Sequence, residues 1–181
     1  MAAQPRLGPE DWLLAGLAAL ATSGPEALKA EKLARSLGTT KGSFYWHFKD
    51  IGAFKSELSA FWQRRAEIAL QEAAETVATP GERLRNLPET IGSGADEART
   101  EAAFRAWAQF SHTAADALSR VDEARITHIQ AVLDALGLTN PEFARIVYGA
   151  HLGMRTLPGG DGADESARST LAAALLALME G

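Results

Sequence analysis

Cysteine is absent from this chain of 181 residues, so neither disulfide bonds nor metal sites with thiolate ligands can form. A long hydrophobic run is also absent. The longest strongly apolar segment, residues 171–179, is less than half of the ~20 residues that a membrane-spanning helix needs. Residues 1–10 contain no apolar signal segment. We therefore expect a cytoplasmic protein that does not associate with membranes.

Signatures of catalysis and of metal binding are also missing. No HExxH, GxSxG or phosphate-binding glycine motif occurs, and the glycine-rich segment 158–164 lacks most of the ligands of a calcium loop. The four histidines are widely scattered, at His47, His112, His128 and His151. We expect no enzyme activity, no cofactor, no catalytic residues and no metal site.

The most informative segment of the chain is residues 28–50. The first part predicts a short helix over about residues 29–37, with its apolar residues on one face. Gly38 follows, where a positive φ is needed to end a helix and turn sharply. Thr40 is expected to cap a second helix by accepting a hydrogen bond from the Ser43 amide. This is the outline of a DNA-binding helix-turn-helix. The alternative is an ordinary helical hairpin whose basic residues keep it soluble.

The second helix would carry hydroxyls, aromatic rings and cations to DNA. Lysines would neutralise phosphates and release counterions, which gives affinity without sequence preference. Side chains on the exposed face of residues 40–46 would read base edges. The candidate DNA contacts are Lys29, Thr39, Thr40, Lys41, Gly42, Ser43, Tyr45, Trp46, His47 and Lys49.

The stretch from Leu33 to Phe48 resembles the DNA-binding domain of the TetR family of bacterial repressors. The resemblance covers about residues 9–60, and its tail Tyr45-Trp46-His47-Phe48 is quite specific. It implies that phosphates and base edges are contacted by Thr40, Lys41, Gly42, Ser43, Tyr45 and His47.

The sequence departs from the family's pattern at two places. Thr39 stands where an aliphatic residue is usual, and Ile51-Gly52 replaces a lysine followed by an acid. Because that lysine would hold a phosphate, we expect Lys49 or Lys55 to substitute for it.

Charge is divided unequally along the chain, whose net charge is −5. Residues 1–65 carry nine Lys/Arg against six Asp/Glu, while the remainder carries nine against seventeen. Chance clustering of charged residues in a short window is the alternative explanation, so the charge division only corroborates the domain assignment. They support a DNA-binding domain of residues 1–50 and an acidic domain of residues 51–181 that binds a ligand and dimerises.

Helical periodicity occurs almost everywhere, and no segment predicts a convincing strand. The predicted fold is all-α, with an N-terminal three-helix helix-turn-helix domain followed by a C-terminal helical bundle that dimerises. The first helix is predicted to start near Pro9 and to end before Gly24, with Leu13, Leu17 and Leu20 as its buried stripe. Gly16 is expected to allow close helix approach, and Trp12 is expected at the edge of that stripe. The predicted helices beyond residue 50 are 51–77, 82–91, 96–117, 121–136, 141–157 and 165–179.

The last two predicted helices are the candidates for self-association, which the family resemblance implies. Gly149 and Gly153 would let a second helix come close. A homodimer would place two recognition helices ~34 Å apart to read a palindrome. The alternative is that both apolar stripes face their own core. The candidate interface residues are Phe143, Val147, Ala150, Met154, Leu171, Leu175 and Leu178.

The resemblance also implies that the C-terminal domain binds a small-molecule effector. Aromatic side chains would form apolar walls, and a hydroxyl or imidazole would orient the ligand. Ordinary core packing is the alternative for each aromatic residue. The candidate lining residues are Trp62, Phe104, Trp107, Phe110, Ser111 and His128.

Three classes of function remain. The first, which we favour, is a TetR-like repressor that leaves a palindromic double-stranded DNA operator when a small molecule binds. The others are a small helical enzyme and a helical protein-interaction module. Because the sequence does not record where the operator lies, an activator is kept as a variant of the first class.

Overall fold

The computed structural model of the chain describes residues 7–75, 79–87 and 94–157, together with residues 166, 167, 169–171, 173, 174 and 177. None of the described residues lies in a β-strand, and the described helices include none long and apolar enough to cross a membrane. The α-helices with defined bounds are α1 (Pro9–Ser23), α2 (Ala30–Ser36), α3 (Lys41–His47), α4 (Ile51–Glu75), α5 (Pro80–Arg85), α6 (Ala95–Ala108), α7 (His112–Asp134) and α8 (Pro141–Met154). The predicted all-α fold class is confirmed.

Several helices begin directly after a residue whose side chain caps them. Thr79 precedes α5, and its hydroxyl accepts the Glu82 amide at 3.3 Å while the Glu82 carboxylate accepts the Thr79 amide at 3.1 Å. The Thr79 hydroxyl also donates to the Glu82 carboxylate at 2.6 Å, and this hydrogen bond, together with the one from the Thr79 amide, lowers the pKa of Glu82. Asn140 precedes α8, and its side-chain oxygen accepts the Glu142 amide at 3.0 Å. These side chains satisfy amides that have no partner within the first turn of a helix.

The prediction of one helix over residues 96–117 is wrong. The chain breaks after α6, and α7 begins at His112 and continues to Asp134 without the predicted interruption near residue 120. The Ser111 hydroxyl accepts the Ala114 amide at 3.4 Å, so Ser111 precedes α7 and does not lie within a helix. A serine in this position offers the backbone a partner that competes with helix continuation.

The chain divides into two compact units. Unit 1 comprises Met1–Arg65 with Ala95–Arg120, and unit 2 comprises Ala66–Gly94 with Val121–Gly181. The division at residue 50 remains a prediction about which residues bind DNA and which dimerise.

Unit 1 is built around an aromatic cluster. Trp12 is fully buried, so its expected place at the edge of the stripe is wrong. Its ring meets Phe44 of α3 edge-on, with 5.4 Å between centroids, and Phe44 in turn lies 5.3 Å from Phe54 of α4. Phe48 completes the cluster at 4.9 Å from Phe54. Rings in this arrangement add attraction beyond the area that they bury, and here they fix α3 against α1 and α4.

Unit 2 has its own hydrophobic core. Ile129, Val132 and Leu133 of α7 are all buried there. They pack with residues of α8, including Ala144 and Tyr148, and with Leu84 and Leu87. Ile126 and Leu136 are partly buried against the same cluster.

Candidate nucleic-acid interface

The turn between α2 and α3 has the predicted geometry. Gly38 adopts a positive φ of 64°, which only glycine adopts without strain. The Gly38 amide donates to the Arg35 carbonyl at 3.2 Å, and the Thr39 amide donates to the Ala34 carbonyl at 2.9 Å. Ala34 is buried, as the crossing of two helices requires. The helix-turn-helix is therefore formed by residues 30–47.

Helix α3 has only seven residues, so its orientation depends on its cap and on its buried ring. The Thr40 hydroxyl accepts the Ser43 amide at 3.3 Å, which confirms the predicted cap. Phe44 is fully buried among the rings of unit 1. An isolated helix of this length is unstable in water, so these two anchors hold α3 in place.

The remaining side chains of α3 face outward. Trp46 is 89% exposed and Tyr45 is 47% exposed, which is unusual for large rings in a folded domain. Every predicted DNA contact is accessible: Lys29, Thr40, Lys41, Gly42, Tyr45, Trp46 and Lys49 are exposed, and Thr39, Ser43 and His47 are half-buried. An exposed helix with rings, hydroxyls and cations is suited to the major groove.

Two of the predicted cations are already paired within the protein. Lys29 Nζ lies 3.4 Å from Glu26 Oε2. Lys41 Nζ forms an ion pair with Glu31 Oε1 and lies 5.9 Å from the centre of the Tyr45 ring. The hydrogen bond from Lys41 lowers the pKa of Glu31, and Glu31 raises the pKa of Lys41. Sequence reasoning missed Glu31, since no periodic pattern links residues ten positions apart.

Arg35 is a further exposed cation that sequence reasoning missed. It lies in the last turn of α2, and within the part of the chain that the structure describes no carboxylate pairs with Arg35 or with Lys49. Lys49 is exposed and Lys55 is half-buried, so Lys49 is the better placed of the two to replace the missing lysine. Its neighbour Asp50 accepts the Ala53 amide at 2.8 Å and caps the start of α4.

Three of the predicted effector-lining residues pack together within unit 1. Trp62 and Phe104 are buried and stacked with 4.0 Å between centroids, and Trp107 meets Phe104 edge-on at 5.3 Å. These three rings belong to unit 1 and fill space against one another. Phe110 is 90% exposed in the turn after α6, and Ser111 caps α7.

His128 belongs to unit 2. It is half-buried on α7, and burial lowers its pKa, with the nearby positive charge of Arg83 contributing in the same direction. A neutral imidazole is thereby favoured at this position. Among the described residues, no three or more His, Asp or Glu side chains converge to hold a metal ion.

The predicted dimer residues differ in burial. Val147 is buried in the core of unit 2, and Phe143 and Leu171 pack against that core. Ala150 and Met154 are half-buried, while Leu175 and Leu178 lie outside the described residues.

The outer face of α8 is open. It carries Ile146, which is 58% exposed, and the exposed Gly149 and Gly153. Apart from the adjacent residues and the backbone of α8 itself, no atom of the described residues lies within 4 Å of a Cβ built on either glycine.

The helix-turn-helix matches a known protein family. The family model described as bacterial regulatory proteins, tetR family, matches residues 13–54, which include α2, the turn and α3. Among curated proteins no significant match was found.

Solved structures similar to this chain cover nearly all of its length. A transcriptional regulator from Rhodococcus sp. Rha1 is 20% identical, with a TM-score of 0.77, over 94% of this chain and 97% of that chain. A putative transcriptional regulator from Saccharomonospora viridis, solved in complex with choline, is 17% identical, with a TM-score of 0.74, over 95% of each chain.

A putative TetR-family transcriptional regulator from Rhodococcus sp. is 21% identical, with a TM-score of 0.72, over 94% of this chain and 98% of that chain. At these identities the likeness establishes the fold, and the family match establishes the N-terminal domain. Residues 13–54 thus match the TetR-family helix-turn-helix domain, and the chain has the same fold as these solved regulators.

Proposed function

We propose that the protein is a TetR-like repressor that binds a palindromic operator as a homodimer in the cytoplasm and leaves it when a small molecule binds. The observation that carries this proposal is the exposed face of α3, where Lys41, Tyr45 and Trp46 lie outward while Phe44 anchors the helix from behind. Base edges would be read by this face, and phosphates would be held by the cations around it. No catalytic step is part of the proposal.

The proposed dimer uses the outer face of α8. Ile146 with Gly149 and Gly153 offers an apolar, closely approachable surface, and the half-buried Ala150 and Met154 border it. Two copies packed through this face would form an isologous interface, in which the same residues of both subunits meet. Two recognition helices ~34 Å apart would then read the two halves of a palindrome.

The proposed effector shifts an equilibrium between a form that binds DNA and one that does not. We place its first contacts at the rings of Trp62, Phe104 and Trp107, which a ligand would have to separate because they are packed together. Choline is the probe to use, because the regulator from Saccharomonospora viridis was solved with it and because aromatic rings attract quaternary ammonium groups. Choline should raise the dissociation constant of the operator complex, and an unchanged constant at millimolar choline would reject this ligand class.

The central experiment is selection of bound duplexes from a random pool, repeated at about 0.05 M and about 0.2 M salt. We expect a palindrome to be enriched at both concentrations, with weaker binding at the higher one. The Lys41→Ala and Tyr45→Phe variants should bind the enriched duplex less tightly. Arg120→Gln is the matched control, because Arg120 is an exposed cation of unit 1 outside the helix-turn-helix.

The result also separates the other classes of function. Failure to enrich any palindrome would reject the regulator. Affinity that never exceeds the nonspecific level would favour a protein-interaction module. Where the operator lies relative to a promoter distinguishes repression from activation, and a reporter gene downstream of it measures the direction.

A further inference from the structure

We propose that Glu31 is an affinity-setting residue of the DNA-binding domain: it holds Lys41 in an intramolecular ion pair and so limits binding to DNA of arbitrary sequence. The inference rests on the proposed DNA-binding function and adds a residue that opposes it. Glu31 would act through Lys41 and is a positioning residue rather than a DNA contact.

The geometry ties the starts of two helices together. Glu31 is the second residue of α2 and Lys41 is the first residue of α3, and the ion pair between their side chains bridges the turn. Lys41 Nζ also lies over the ring of Tyr45, one turn further along α3. The side chains of Glu31 and Lys41 are 56% and 51% exposed, so both lie at the surface where a phosphate would arrive.

A phosphate that approaches Lys41 must compete with the carboxylate already bound to it. The mutual effect of the two groups on their pKa values shows that each stabilises the charged form of the other. A lysine whose charge is neutralised inside the protein releases no counterion when DNA approaches, so it adds nothing to sequence-independent affinity. Glu31 itself also brings a negative charge to the surface that faces the DNA backbone.

Glu26 provides an internal comparison. It pairs with Lys29 at 3.4 Å, but it is 86% exposed and forms no ion pair with α3. Glu26→Gln and Glu31→Gln remove the same charge from the same domain, and both replacements preserve side-chain size. Only the second releases the first cation of the recognition helix.

The test is a double-mutant cycle on the full-length protein with a random-sequence duplex as the probe. Wild type, Glu31→Gln, Lys41→Gln and the double variant are titrated over a range of salt concentrations, with Glu26→Gln alone and with Lys41→Gln as the matched control cycle. Circular dichroism and thermal melting of each variant check that the helices are retained.

We expect Glu31→Gln to raise affinity roughly five- to tenfold near 0.1 M salt and to steepen the slope of log K against log salt by about 0.9, the value for one phosphate contact. In the Lys41→Gln background most of this gain should vanish, whereas the effect of Glu26→Gln should be the same in both backgrounds. A merely structural role of Glu31 would not alter the salt slope.

Two outcomes would overturn the inference: an unchanged salt slope in Glu31→Gln, or a gain that survives removal of Lys41. If the wild-type protein binds neither the random duplex nor any selected duplex, the proposed function itself is wrong. The two failures are therefore distinguishable.

Discussion

Gly16 of α1 lies directly against the ring of Phe54 of α4. A Cβ atom built on Gly16 would be 2.7 Å from Phe54 Cζ and 3.1 Å from Leu58 Cδ1. Phe54 has no free space to yield, since it is fully buried and packs on Phe44 and Phe48. Helices α1 and α4 can therefore approach this closely only because residue 16 is a glycine and has no side chain.

Replacing Gly16 with alanine should lower the free energy of unfolding by about 1–2 kcal/mol. The destabilisation from overpacking exceeds the stabilisation that alanine gains over glycine through its higher helix propensity. Urea denaturation followed by circular dichroism measures the change. Ala18→Met adds bulk at an exposed position of the same helix and should be close to neutral. A Gly16→Ala protein as stable as wild type would contradict the close approach.

Removal of the Thr40 hydroxyl should destabilise α3. Thr40→Ala leaves the Ser43 amide without its capping acceptor and should cost about 1 kcal/mol, while Thr40→Ser keeps the acceptor and most of the stability. Urea denaturation without DNA separates this effect from any role in binding. Equal losses in the two variants would show that the hydroxyl is not the cap.

Tyr148→Phe should lower the free energy of unfolding by about 1–3 kcal/mol. The Tyr148 hydroxyl donates to Asp122 Oδ1 at 2.6 Å and accepts from Arg125 NH1 at 3.2 Å, and Arg125 is buried. The chain has two tyrosines, and the other, Tyr45, is half-exposed, so Tyr45→Phe is the matched control and should melt like wild type. Equal melting temperatures of the two variants would show that this hydrogen-bond network does not stabilise the fold.

Acidification should destabilise unit 2 through His128. Its pKa in the folded protein lies below the ordinary 6.5, so as the pH falls below 6.5 the unfolded chain takes up the proton first. The free energy of unfolding therefore decreases between pH 6.5 and the lowered pKa. Melting temperatures measured across this interval should fall less in His128→Gln than in wild type. His112→Gln, at an exposed position, is the matched control.

A large side chain at Gly149 should weaken self-association. Gly149→Leu would hold two α8 helices apart and raise the dimer dissociation constant at least tenfold, by about 1.4 kcal/mol or more. The fold should tolerate the change, because no described atom lies near that position. Sedimentation velocity measures the association, with Thr127→Leu, at an exposed position of α7, as the control. A Gly149→Leu protein that remains fully dimeric would place the interface elsewhere.

Features determined by residues close together in the sequence were the ones that could be predicted most reliably. Gly38 and Thr40 act on backbone groups within a few positions of themselves, so the turn and the start of α3 could be placed correctly. Asn140 marked the start of α8 for the same reason. The break after α6 was missed because neither glycine nor proline marks it, and the hydroxyl of Ser111 is a weaker signal.

Features that depend on tertiary neighbours could not be predicted in this way. Trp12 is fully buried because α3 brings the ring of Phe44 over it. The pairing of Glu31 with Lys41 requires the turn to bring α2 and α3 together. The helical spacing of the aromatic residues did not distinguish Phe110 from Trp107. Phe110 lies in a turn on the surface, whereas Trp107 is buried.

The exposure of Trp46 has a spectroscopic consequence. Of the four tryptophans, Trp12, Trp62 and Trp107 are buried, and Trp46 alone lies in water, on α3. A soluble quencher such as acrylamide would therefore act first on the emission of this one indole. Shielding from the quencher would report occupancy of α3 without a label, while the emission of the three buried indoles would provide an internal reference for the integrity of unit 1.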